Sequence, residues 1–330
     1  MKFSFRLVDL DSTEESNIVS NFRVSDMFHT VNWFRVVRES GEGNFELLSL
    51  YNENNIEALI PIFWRSAGPI KWIDRAPATP YLFPTIVNRD YSRRSGRISD
   101  ERQIFNNIAT YIESRFNQAS IFTGTELTDF RAFLWRGWKS QVRYTIICDI
   151  DDIEKMWEGL TPKVRSIIRK GEREGLKYIQ DGDISITERL INETFRSQGR
   201  NPPLSKLFYE AFKKHIINEG YGFSPIIVGE DSSPQAGALV ATFGDTSYYI
   251  SAGLASYAHQ SAGTLLLWNI MMSISGMVKY IDLCGANIRS IAHFKESFEG
   301  RLAPFYNITW KKNLLYHYFI KFLNRRYFPL

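Results

Sequence analysis

Cysteine is nearly missing from this chain. The two that occur, Cys148 and Cys284, lie far apart in apolar, strand-like contexts (TIICDI and YIDLCG). That excludes a disulfide scaffold and reads as small buried hydrophobes in a reducing compartment. Histidine is sparse too, with five scattered residues and no paired ligand spacing, so no metal site is expected. A long apolar run is also lacking. Residues Ala252–Val278 carry no Asp, Glu, Lys or Arg, but their apolar part, Leu265–Met272, is short and gives way to Ser273, Ser275 and Gly276. A membrane span needs about 20 mainly apolar residues, so a buried amphipathic helix is expected there. The first residues, MKFSFRLVDLD, lack the apolar core of a signal peptide. The expected location is cytoplasmic, the inner face of the membrane included. Nor does one sign of charge dominate: 40 Lys and Arg against 36 Asp and Glu leave +4. This is too mild for a dedicated nucleic-acid binder, so DNA is not an expected partner, but it suits a protein that handles anionic ligands.

What is present points to an ordinary globular protein. The 330 residues are 44% hydrophobic and 15% aromatic, enough for two compact domains with proper cores and in favour of sheets and binding clefts. Ser25–Ser40 reads as a helix carrying Phe28, Trp33, Phe34 and Val37. Phe45–Tyr51 and Ile56–Trp64 read as a hairpin turned by Asn52–Asn55. Ala76–Pro84, with Pro77, Pro80 and Pro84, reads as an extended loop in the wall of a cleft. Glu101–Phe116 is helical by period and Ile121–Thr123 strand-like.

Near residue 150 the pattern starts again, which sets domains at 1–150 and 151–330. Arg143–Ile150 reads as a strand and Asp151–Leu160 as a helix; Thr161 is an N-cap with Pro162 at the first helical position, and a basic helix follows to Gly175. Helices Thr187–Gln198 and Ser205–Glu219 come next. Then follow strands Ser224–Glu230, Gln235–Phe243 and Ser247–Leu254, a helix Thr264–Met277, and a strand from Tyr280. This is an α+β order.

The most informative stretch is YIDLCGANIRSIAHFKESFEGRLAPFY, residues 280–306. A buried strand ends at Gly285, and a short helix spans Ser290–Phe298. On it Phe294 and Phe298 share a face, with Lys295 beside them. A further strand follows over Phe305–Trp310. Together with Phe28–Trp33, Ala58–Pro61, Pro80-Tyr81, Trp157–Gly175 and Ala238–Gly253, this order of motifs resembles the FemABX-like branch of the GNAT-type N-acyltransferases. The resemblance implies two tandem GNAT-like domains, each a mixed, mostly antiparallel sheet flanked by helices. It also implies that the C-terminal end packs back on the first domain.

Acyl transfer to an amine needs a neutral amine, a path for its proton and donors for the oxyanion. By resemblance, the donors are backbone N–H groups where strand Tyr248–Gly253 splays from its neighbour, with a bulge expected at Ala252-Gly253 and Tyr249 and Tyr81 beside the substrate. The resemblance further implies that Gln260, Ser261, Gly263 and Thr264 hold the pyrophosphate of an acyl-CoA co-substrate, although Leu265 stands where a second small residue belongs. Lys295 is expected at the active cleft as an electrostatic group, and Arg196 on the substrate. Arg200 takes the place of the family's tyrosine. Asp282 reads either as a proton acceptor or as a carboxylate bound to a strand-end amide.

The expected function is therefore N-acyl transfer from acyl-CoA to an amine of a phosphorylated cell-envelope or polysaccharide precursor, an amino sugar in particular. Two alternatives stay open: an aminoacyl-tRNA-dependent peptidoglycan-bridge transferase, and a catalytically silent binding protein of the same fold. The basic residues Lys163, Arg165, Arg169, Lys170 and Arg173 read as a helix's wet side or as a tRNA contact. The basic, aromatic stretch Trp310–Leu330 reads as closing structure or as a peripheral membrane contact. The substrate is expected to be a small-molecule or lipid-linked sugar.

Overall fold

A computed structural model describes residues 3–12, 22, 24, 26–87, 89, 91–127, 129–313 and 320. They fall into two compact units, one of residues up to Val142 with those from Phe305 onward, the other Arg143–Pro304. Most of the stretch Trp310–Leu330 lies outside the described residues.

The first unit runs β1 (Phe3–Leu7), α1 (Val31–Glu39), β2 (Asn44–Asn52), β3 (Asn55–Ala67), β4 (Ile70–Ile73), β5 (Thr85–Ile86), α2 (Arg94–Arg115), β6 (Gln118–Phe122) and α3 (Arg131–Leu134). Its sheet has the order β1-β2-β3-β4-β6 and ends on the last strand among the described residues, Arg301–Lys311 (β14). There Asn307–Lys311 pair antiparallel with Phe122–Gln118. The helix expected over Ser25–Ser40 is two pieces, a 3-10 turn at Met27–His29 and α1. The break is at Thr30, which stays extended so that its hydroxyl can accept the Trp33 amide as an N-cap. Parallel strands β4 and β6 pair only at Trp72 and Gln118. Beyond that point the Ala76–Pro84 loop enters, and Leu82 bridges to Phe122. The loop is largely buried, so its polar groups need partners. Thr79 accepts the Trp33 indole N–H at 3.0 Å, and its carbonyl accepts Arg75 Nε at 3.1 Å. His29 spans Asp26 Oδ1 at 2.7 Å and the Phe83 carbonyl at 2.9 Å.

The second unit holds most of β7 (Lys139–Asp149), then α4 (Ile153–Gly159), α5 (Pro162–Arg173), β8 (Lys177–Ile179), α6 (Ile184–Ser197), α7 (Lys206–Phe212), β9 (Gly222–Phe223), β10 (Ile226–Val228), β11 (Pro234–Phe243), β12 (Thr246–Leu254), α8 (Ala262–Ile274), β13 (Tyr280–Asp282) and α9 (Arg289–Glu296). Its sheet order is β7-β13-β12-β11-β10-β8. All neighbours are antiparallel except β12 and β13.

The α5 start is as its sequence implies. Thr161 accepts the Val164 amide at 3.3 Å, and Gly175, at φ 75°, ends the helix in the left-handed conformation that glycine permits. Two expectations need correction. The strand Ser224–Glu230 is shortened to β10, with the separate β9 before it, because Pro225 has no N–H to give the ladder. The helix Ser205–Glu219 leaves α geometry after Phe212 and widens into a π turn over Lys213–Ile217. Helix α8 buries Leu265, Leu266, Leu267, Trp268, Ile270, Met271 and Ile274 in the core of this unit. Each large apolar side chain so buried contributes about 1.5–3 kcal/mol. Among the described residues no helix is long and apolar enough to cross a membrane.

Candidate active site

The α+β architecture of the second unit produces one opening in its ladder. The parallel register of β12 and β13 runs Thr246–Tyr280, Ser247–Ile281, Tyr248–Asp282 and stops, while β12 continues to Leu254. Its edge towards β13 is therefore unpaired from Tyr249 on. The bulge lies at Ile250, where the register with β11 slips between Leu239–Ser251 and Val240–Tyr249, and not at Ala252-Gly253 as the sequence suggests. Gly253 has another job. A Cβ on it would stand 2.3 Å from the carbonyl carbon of Leu190 and the amide nitrogen of Ile191. Its partner Gly237 would bring a Cβ to 2.8 Å from Thr187 Oγ1. The paired glycines make the groove in which α6 lies against the sheet.

That contact fixes the last turn of α6 at the end of β12. The Leu254 amide donates to Thr194 Oγ1 at 2.8 Å. Arg196 is exposed just beyond, and the chain then turns at Gly199, φ 69°, with the Arg200 amide bonded to the Phe195 carbonyl at 2.9 Å. Arg200 is half-buried. Tyr249 points the other way. It belongs to the core of the unit, and burial pushes its hydroxyl above the ordinary phenol range. Tyr81 lies in the first unit, buried with its ring edge-on to Phe28 and Phe305 at 5.8 and 5.2 Å.

At the end of β13 the side chains of Asp282 and Lys295 both turn inward. Asp282 Oδ1 accepts from Thr145 Oγ1 at 2.5 Å and from the Cys284 amide at 2.7 Å. Thr145 Oγ1 in turn accepts the Gly285 amide at 2.9 Å. Lys295, only 8% exposed, donates from Nζ to the carbonyls of Leu283 and Gly285, the latter at 2.7 Å. The Phe294 and Phe298 rings meet as their spacing implies, at 5.7 Å. Cys148 is buried nearby, its thiol pushed up to about 12 by burial and by the charge of Asp282.

After β12 the chain enters α8. The ring of His259 accepts the Ser261 amide at Nδ1, 3.2 Å away, and its Nε2 meets Glu174 Oε2 at 2.6 Å. Since Nδ1 accepts, Nε2 carries the proton and donates to the carboxylate. The His259 carbonyl takes the Ala262 amide at 2.9 Å. Helix geometry leaves the next amides, Gly263 and Thr264, without intrahelical partners. Gln260 is exposed, and Ser261 is fully buried with no partner found for its Oγ. Leu265 is spent on the core, packed over Gly171 of α5.

The His259–Glu174 pair and Thr145 had no sequence signal, since their partners are distant in the chain. On α5, Arg165 donates to the carbonyls of Trp157 and Glu158, Arg169 lies 5.4 Å from the Trp157 ring, and Lys170 lies 3.9 Å from Glu174. Lys163 and Arg173 are exposed. Among the described residues no cluster of His, Cys, Asp and Glu could hold a metal ion.

No family model matches this sequence, and no curated protein matches it by sequence. Solved structures do match its fold. FemX superposes with a TM-score of 0.64 at 12% identity, covering 92% of this chain and 96% of its own. The C-terminal domain of a protein assigned as lysylphosphatidylglycerol synthetase from Agrobacterium fabrum gives 0.61 at 12%, covering 95% and 98%. A tandem GNAT protein from the clavulanic acid biosynthesis pathway gives 0.58 at 10%, covering 94% and 99%. The fold is that of tandem GNAT proteins.

Proposed function

We propose that this protein is an N-acyltransferase that works at the opening between β12 and β13. The observation that carries this reading is the parallel pair that stops at Tyr248 and Asp282 while β12 runs on to Leu254 and feeds the N-terminus of α8. Such an edge offers backbone N–H groups with no strand partner. They are the donors an oxyanion requires. A helix N-terminus with unpartnered amides attracts an anion, so Gly263 and Thr264, with Gln260 and Ser261 beside them, hold the phosphate of the donor. Arg196 and Arg200, at the end of α6, hold a phosphate of the acceptor.

The chemistry needs no covalent enzyme intermediate. The neutral amine of the acceptor attacks the acyl carbonyl carbon, and the oxygen takes negative charge against the β12 amides. The intermediate then collapses: the amide bond remains, and the bond from the acyl carbon to the leaving sulfur or oxygen breaks. The amine's proton leaves through water, since Asp282 is buried and is bonded to Thr145 and the Cys284 amide. The acceptor is an amine on a phosphorylated envelope or polysaccharide precursor, an amino sugar in the first instance, and acyl-CoA is the donor tested first. Calorimetry with coenzyme A checks it. Micromolar to millimolar binding that Gly263→Asp abolishes is expected, and no binding of any acyl-CoA would refute that donor.

One observation favours a second donor. At α8 the Ser261 and Ala262 amides are already taken by His259, and Glu174 adds a carboxylate on the same ring. This arrangement favours a donor with less charge than a pyrophosphate, such as the single phosphodiesters of aminoacyl-tRNA. FemX and the lysylphosphatidylglycerol synthetase domain share the fold, in keeping with that alternative. Retention of a charged tRNA on the protein where coenzyme A is not retained decides for it.

A further inference from the structure

We propose that Lys295 is a positioning residue: with Asp282 and Thr145 it builds the Leu283–Gly285 turn that carries β13 away from β12 and so opens the cleft. The use of the cleft rests on the acyl-transfer reading; the turn does not. The strand β13 ends at Asp282 while its parallel neighbour β12 runs on to Leu254. What ends it is a pair of left-handed residues, Cys284 at φ 55° and Gly285 at φ 110°. Glycine adopts that conformation readily; a cysteine there is strained and persists only where its surroundings over-determine it.

Those surroundings lie in the same unit: the β7 backbone, where the Ile146 and Tyr144 carbonyls accept the Leu283 and Ala286 amides, and three side chains. The carbonyls of Leu283 and Gly285 point at the Lys295 ammonium. The amides of Cys284 and Gly285 point at Asp282 Oδ1 and Thr145 Oγ1. Every peptide group of the turn thus meets an ionic or hydroxyl partner, and the ammonium is anchored on the backbone by two main-chain carbonyls. The lysine sits on α9, the element that follows the turn, and Phe298 just after that helix is fully buried. Two of the three ammonium donors are thereby held on main-chain carbonyls.

The test needs no substrate. Lys295→Met keeps the stem and removes the ammonium. Hydrogen exchange on the whole protein should then show the Cys284 and Gly285 amides exchanging about tenfold faster or more, while those β12 amides between Tyr249 and Gly253 that face β13 rather than β11 gain protection as β13 pairs onward. The β11 and α6 amides should not change. Adding Cys284→Gly removes the left-handed strain, so Lys295→Met/Cys284→Gly should recover most of the lost protection. A uniform loss of protection would mean that Lys295 only stabilises the unit. No change at the turn, or no recovery with glycine, would equally overturn the proposal. Should Lys295→Met not fold, Thr145→Val removes only the hydroxyl between Asp282 and Gly285 and must give the same local pattern. Loss of coenzyme A or tRNA binding bears on the proposed function and leaves this reading of the turn intact.

Discussion

Substituting alanine for one glycine of the β11–β12 groove should be far more damaging than the same change a few residues on. In Gly253→Ala the new Cβ would stand 2.3 Å from backbone atoms of Leu190 and Ile191, where ordinary contact begins at 3.4 Å. A helix backbone cannot rotate out of the way like a side chain, so α6 must back off by about 1 Å, and overpacking of this kind costs about 3 kcal/mol. For a unit of this size that corresponds to a fall in Tm of roughly 6–12 °C. In Gly263→Ala the Cβ meets only the Leu254 side chain, at 3.5 Å, which is ordinary contact. Alanine is also the better helix residue by about 0.5–1 kcal/mol, so this variant should melt at or slightly above the parent. Urea denaturation followed by circular dichroism measures both. Equal midpoints for Gly253→Ala and the parent would refute the reasoning that the paired glycines seat α6, and with it the placement of Arg196 and Arg200 at the end of β12.

Three further outcomes are expected. Burial alone would lower the pKa of His29, but the Asp26 carboxylate at 2.7 Å and the Phe83 carbonyl outweigh it and leave it raised above 6.5. Its contribution to stability is then fully present below 6.5 and is lost as pH rises through the folded value. The parent should accordingly lose stability across that window while His29→Gln shows a flatter profile, in melts taken from acid to mildly alkaline pH. Arg196→Ala removes an exposed side chain, so stability should change by less than about 0.5 kcal/mol while KM for a phosphorylated amine acceptor rises about tenfold. Cys148, with its thiol pushed up to about 12 and buried, should resist alkylation in the folded protein near neutral pH; mass spectrometry should find label on Cys284 first and on Cys148 only after unfolding.

Local signals carried most of the fold. Thr161-Pro162 and Gly175 bracket α5 as capping chemistry requires, and the polar residues Asn52–Asn55 turn the first hairpin at Glu53, φ 56°. The α+β order of the second unit was legible for the same reason: each element announces itself within its own residues. What stayed hidden depends on partners far along the chain. Gly253 reads as a bulge residue until α6 is seen lying on it. Lys295 sits among polar and aromatic residues that say nothing of the carbonyls at Leu283 and Gly285. The prolines of Ala76–Pro84 mark an extended loop, but its burial follows from His29, Trp33 and Phe122, which no local rule connects to it. Pro225 is the exception: its missing N–H was in plain view, and it cuts the expected strand short.

Acyl transfer itself is tested most directly by product. Purified protein is incubated with a panel of acyl-CoA donors and aminoacyl-tRNAs and with nucleotide-linked and lipid-linked amino sugars, and the mixture is read by mass spectrometry. The expected result is an acceptor heavier by the acyl group less one hydrogen, formed by the parent and lost in Gly263→Asp. Tight binding of an acceptor with no such product from any donor would contradict the account and leave a binding protein that keeps the cleft without the chemistry.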